Sequence, residues 1–146
     1  MTKEYCIPYM GPIPSLTTTH IQTPENPEDL LVHSHAFYRR YAVQIADEGL
    51  STFGIDLGDY LLFREQRWPS LEGQICLLTM GDEVTIKMLE CINNPTVTLR
   101  VGGDQILPLE LGTTDFCVIG VLDGVIKKEL ATFTVPKEDM FVWDEA

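Results

Sequence analysis

Gln74-Ile75-Cys76-Leu77-Leu78-Thr79-Met80-Gly81-Asp82-Glu83-Val84-Thr85-Ile86-Lys87-Met88-Leu89-Glu90 is the stretch that decides the fold. Two apolar runs, rich in branched side chains, are separated by Gly81-Asp82. Glycine followed by a short polar residue between two such runs is turn chemistry, so the stretch reads as a β-hairpin. Strand alternation places Lys87 on the same face as Thr85 and Leu89.

The same pattern repeats on both sides. Upstream, Tyr41–Ile45 is a short apolar run, and Tyr60-Leu61-Leu62-Phe63 follows Gly58-Asp59. Downstream, Asn93-Asn94-Pro95 turns into Thr96–Val101, and Gly102-Gly103-Asp104 turns again. Phe116–Leu122 and Val125–Lys128 flank Asp123-Gly124, which reads as a second turn. No long window has helical periodicity, and only Gly49–Phe53 suggests a brief helical turn. Short strands bounded by turns at this spacing predict a mainly β sandwich or barrel.

Residues 1–36 differ in composition. Ile7-Pro8, Gly11-Pro12-Ile13-Pro14, Thr17-Thr18-Thr19, Pro24 and Pro27 describe an extended arm, because proline removes backbone donors and blocks helix. A helical turn is expected at Pro27-Glu28-Asp29-Leu30-Leu31, with Asn26 as its cap. Residues 37–131 form the body, and residues 132–146 an acidic tail that carries Phe133, Met140, Phe141, Val142 and Trp143. The tail is expected to pack on the body or to dock a partner.

Composition narrows the function. The chain has 146 residues, a single domain's worth, and 45% of them are hydrophobic. Its net charge of −12 argues against nucleic acid and against anionic membranes as direct partners. Arg39-Arg40 and Lys127-Lys128 are the only tight basic groups and read as solvated pairs. Cys6, Cys76, Cys91 and Cys117 form no C-x-x-C motif, and Cys76 and Cys117 read as small apolar residues inside buried strands, a usage that suits a reducing cytoplasm. Met1–Tyr5 has no apolar run behind it, so neither a secretory leader nor a membrane span is expected. His33-Ser34-His35 could place two imidazoles on one side of a strand, but no third ligand accompanies them; no metal and no cofactor is expected. Asp59 reads as turn chemistry beside Gly58.

Set in order, these segments resemble a known family. Val43–Leu62, with Gly54-Ile55-Asp56-Leu57-Gly58-Asp59 at its end, resembles the nucleophile region of LexA, UmuD and phage repressors. Glu72-Gly73-Gln74, the lysine strand Asp82–Leu89 and the closing strands Phe116–Ile126 resemble the family in the same order, over roughly residues 37–129. The resemblance implies a LexA/UmuD-like β-clip fold and a self-cleaving serine–lysine peptidase of the SOS response. It places the general base at Lys87. A buried lysine loses its proton more easily and can then activate a serine hydroxyl.

The family's nucleophile stands nine positions before the glycine of Gly58-Asp59, which is Gly49 here, and glycine has no hydroxyl. Ser51, two residues on, is the alternative nucleophile, with backbone amides near Gly49–Ser51 as oxyanion donors. The arm begins Ile7-Pro8-Tyr9-Met10-Gly11 as the resemblance requires, but the scissile pair falls on Ser15-Leu16 instead of Ala-Gly. The expectation is a non-cleaving, repressor-like regulatory domain that forms homodimers or binds a protein. A working peptidase that uses Ser51 with Lys87, and an unrelated acidic β-domain that binds a protein through Trp143 and its neighbours, are the alternatives.

Overall fold

The structure is a computed structural model that describes residues 3–20, 27–34, 39–102 and 106–134. Its elements are strands β1 (Lys3–Ile13), β2 (Thr19–His20), β3 (Asp29–Ser34), β4 (Arg40–Ile45), β5 (Tyr60–Arg64), β6 (Gln74–Met80), β7 (Glu83–Glu90), β8 (Thr96–Arg100), β9 (Leu109–Gly112), β10 (Cys117–Ile126) and β11 (Phe133–Thr134). Two single-turn 3-10 helices, Ser51–Phe53 and Lys128–Leu130, complete them.

The strands form one open mixed sheet in the order β11-β3-β1-β4-β5-β10-β6-β7-β8-β9, with β2 added to β7. Neighbours are antiparallel except β1 and β4, which run parallel. The end strands β11 and β9 do not pair with each other among the described residues, so the sheet is open where a closed barrel was a possible expectation.

The β6–β7 hairpin follows the sequence reading. Met80 faces Glu83 across a two-residue turn, and Gly81 takes a φ of 65°, a left-handed conformation that glycine adopts without steric cost. Alternation then divides the apolar residues. Val84 and Ile86 join Val43, Ile45, Leu61, Phe63 and Leu77 in one core cluster. Leu89 joins Cys76, Leu78, Val97, Leu99 and Val121 in a second. Phe63 and Leu61 are fully buried; each such side chain contributes roughly 1.5–3 kcal/mol of transfer free energy.

Several local expectations are corrected, among them Cys117, which is exposed while Cys76 is buried. Asp29–Leu31 is strand and not helical turn, because β3 pairs with Lys3–Pro8 of β1 and the ladder satisfies its backbone groups; Asn26 lies outside the described residues. Asp123-Gly124 makes no hairpin turn. β10 runs through it, still paired to β5, with a register shift between Leu122 and Gly124. The Asp123 carboxylate lies 2.8 Å from Arg40 and 3.6 Å from Arg64, held by cations instead of capping a turn. Arg40 is therefore a largely buried ion-pair member and not a solvated residue. Lys127 stays 42% exposed, as a solvated residue would, while its Nζ lies 2.7 Å from the buried carboxylate of Asp59.

The arm enters the body. β1 lies between β3 and β4, so it is an interior strand. Beyond Ile13 the chain crosses to β7. Strand β8 pairs only with Met88–Glu90 of β7, which leaves the edge from Glu83 to Lys87 to the arm. There Thr19 pairs with Val84 and His20 with Glu83.

Candidate functional site

Three segments meet where the arm crosses β7. Pro14–Thr17 arrives from the end of β1, Ala46–Leu50 from the end of β4, and Thr85–Lys87 lies in the middle of β7. The Pro14 carbonyl accepts the Ile86 amide at 3.2 Å, which continues the β ladder onto the arm. The Thr85 hydroxyl stands 3.0 Å from the Pro14 carbonyl and 2.7 Å from the Thr17 carbonyl, and it can donate to either. Next along the strand, Lys87 Nζ donates to the Ser15 carbonyl. Thr85 and Lys87 share a face by alternation, and both hold the arm's main chain.

On the other side, Asp47 grips Ser15 and Leu16. Its Oδ1 accepts the Ser15 hydroxyl at 2.5 Å and the Gly49 amide at 3.0 Å. Its Oδ2 accepts the amides of Ser15 and Leu16, both at 2.8 Å. Ser15 is completely buried. Hydrogen bonds to a carboxylate are roughly twice as strong as neutral ones, so this set fixes the Ser15-Leu16 bond.

Gly49 completes the site through what it lacks. A Cβ added there would run into the Ser15 Oγ and would lie 2.8 Å and 2.9 Å from Leu16 Cδ2 and Cγ. The hydroxyl of Ser15 thus fills the space that a side chain at position 49 would need. Behind Gly49, its carbonyl accepts the Gly102 amide at 2.7 Å, which ties this corner to the end of β8.

The electrostatics follow from burial. Lys87 is 9% exposed, and burial lowers its pKa from the ordinary lysine value, opposed by the negative charge of Asp47. For Asp47, burial is the largest single influence and pushes the pKa up. The bonds from the Ser15 hydroxyl and from the Leu16, Gly49 and Ser15 amides together outweigh it and hold the carboxyl below its usual range.

Of the residues singled out from sequence, Lys87, Gly49, Ser15 and Leu16 stand together. Ser51 is exposed at the start of its 3-10 turn. Of the amides considered as oxyanion donors, Gly49 N–H is engaged by Asp47 and Ser51 N–H by the Glu48 carbonyl. His33 faces Glu4 at 3.6 Å, and His35 lies outside the described residues. Among the described residues no group of three or more His, Cys, Asp or Glu could hold a metal ion.

Asp47 was not singled out as a binding residue from sequence. Its signal was local: an Asp two residues before a Gly at a strand end favours a side-chain bond to the amide two positions on, as seen at Gly49.

Chemically, the site is a grip on a peptide. Lysine amine, carboxylate and threonine hydroxyl engage the main chain from Pro14 to Thr17, and no hydroxyl stands at position 49 to attack the bond they hold. The chain matches no protein-family profile and no curated protein. Among the described residues no helix is long and apolar enough to cross a membrane.

Proposed function

We propose that this chain is a non-cleaving regulatory domain of the LexA/UmuD type, which keeps its own arm in the former substrate groove and acts through homodimerisation or protein binding in the cytoplasm. One observation carries the reading: the Ser15-Leu16 bond is held between Lys87 and Asp47, and Ser15 fills the space beside Gly49. A serine–lysine peptidase needs a hydroxyl at that point, within reach of the lysine. Here the lysine amine serves the carbonyl of the bond itself. The exposure of Ser51 and the engagement of the neighbouring amides weigh against the alternative nucleophile.

The test is intact-mass spectrometry before and after alkaline incubation. The native chain is expected to stay whole. The triple variant Gly49→Ser with Ser15→Ala and Leu16→Gly restores the hydroxyl and clears the colliding atoms, and it is expected to split between positions 15 and 16. Cleavage of the native chain at that bond would establish a peptidase and overturn the proposal. A folded triple variant that stays whole would remove the family resemblance as its basis. Sedimentation equilibrium tests the homodimer.

A further inference from the structure

Outside the Ser15-Leu16 site, a groove of about 620 Å³ opens between Met10 of the arm and the body. Met10, Tyr41, Trp68 and Phe116 give it an apolar and aromatic lining, with exposed Arg67 and Cys117 also on its wall. Trp68 and Phe116 stack with their ring centres 6.0 Å apart and their planes 24° from parallel. A concave aromatic surface of this size marks a binding site for apolar side chains.

We infer that the groove is filled by the chain's own C-terminal segment, with the Met140-Phe141-Val142-Trp143 side chains seated on the aromatic wall. Three observations support that occupant. The first is direction. β11 runs the same way as β1: Phe133 pairs with Leu30 and Thr134 with Asp29, and these pair with Ile7 and Pro8. At Thr134 the chain is therefore heading for the level of Tyr9 and Met10, and Met10 lines the groove.

The second is access. The β1–β3 ladder ends at Pro8, with one further bond from the Tyr9 amide to the Glu28 carbonyl at 3.1 Å. From Met10 onward β1 has no strand on that side among the described residues, so the edge is open where the segment must pass. Met140 is the sixth residue after Thr134. An extended chain covers ~3.3 Å per residue, so Trp143, nine residues after Thr134, has a reach of ~30 Å against ~24 Å for the five strand spacings from β11 to β10.

The third is chemistry. The four consecutive apolar residues Met140-Phe141-Val142-Trp143 match a mainly apolar groove whose charged lining residues, Glu65 and Arg67, balance each other.

The exposed thiol of Cys117 reports occupancy, and exposed Cys91, outside the groove lining, serves as the internal control. The full chain is treated with iodoacetamide and alkylation is followed by peptide mass mapping. In Trp143→Ala and Phe141→Ala, Cys117 is expected to react roughly fivefold faster, as for a segment released from local docking, with Cys91 unchanged. Trp143→Phe should keep most of the protection. Equal Cys117 rates in the native and Ala chains would overturn the inference. Protection that grows with protein concentration would also overturn it, by assigning the groove to a second copy.

Discussion

Lys87 Nζ donates a hydrogen bond to the carbonyl of Ser15, 72 residues away in the chain, and so pins the arm to the middle of the β6–β7 hairpin. The lysine that the family resemblance assigns to chemistry makes a structural bond here. Its loss should be read as lost stability before lost activity.

Lys87→Met keeps the apolar stem and removes the donor. The Ser15 carbonyl then has no amine partner, and a bond of this type contributes roughly 1–3 kcal/mol. Urea denaturation should show a loss of about that size. Hydrogen exchange should become faster at the Ser15 and Leu16 amides and stay unchanged in β8.

Asp47→Ala removes the acceptor for one hydroxyl and three amides. It should cost about 2–4 kcal/mol, because buried donors lose a charged partner. Asp47→Asn keeps one acceptor oxygen and should fall between the native chain and the Ala variant in the same denaturation experiment.

The two groups each make stability rise with pH, one at the acid end of the curve and the other at the alkaline end. The Asp47 pKa is lowered in the folded chain, so its contribution is complete above the unfolded value of about 3.9 and is lost as pH falls through the folded one. The Lys87 pKa is also lowered. Between its folded value and about 10.4 the unfolded chain binds more protons, so stability rises with pH across that window. Denaturation midpoints measured across pH should lose the acid limb in Asp47→Asn and the alkaline rise in Lys87→Met.

Gly49→Ala places a methyl group against Ser15 Oγ and the Leu16 side chain, an overpacking that should cost roughly 1–3 kcal/mol. Ser15→Ala deletes the atom in the way. The double variant should therefore be less destabilised than the sum of the singles, by about 0.5–2 kcal/mol in a double-mutant cycle. Strict additivity would show that the two residues do not share this space.

Much of the strand layout was legible because turns and alternation are local. Gln74–Met80 and Glu83–Glu90 occur as read, since Gly81-Asp82 and the apolar runs agree with each other. Asp123-Gly124 misled because its carboxylate answers to Arg40 and Arg64, which lie far off in sequence. Asp29–Leu31 misled because a proline and acidic residues suggest a helix start, while pairing with β1 decides the outcome. At the site, Lys87, Gly49 and the Ser15-Leu16 pair came from order and spacing against a family pattern. The role of Asp47 depends on where the arm docks, and no local rule carries that information beyond its bond to Gly49.

The division of β7 between β8 and the arm has a consequence for the chain's behaviour in crowded solution. Glu83–Lys87 carries Val84 and Ile86, and an uncovered strand of that kind is a template for pairing with other molecules. By capping it with Pro14–His20, the arm guards against aggregation. A chain that loses Pro14–His20 from this edge should clump instead of simply unfolding.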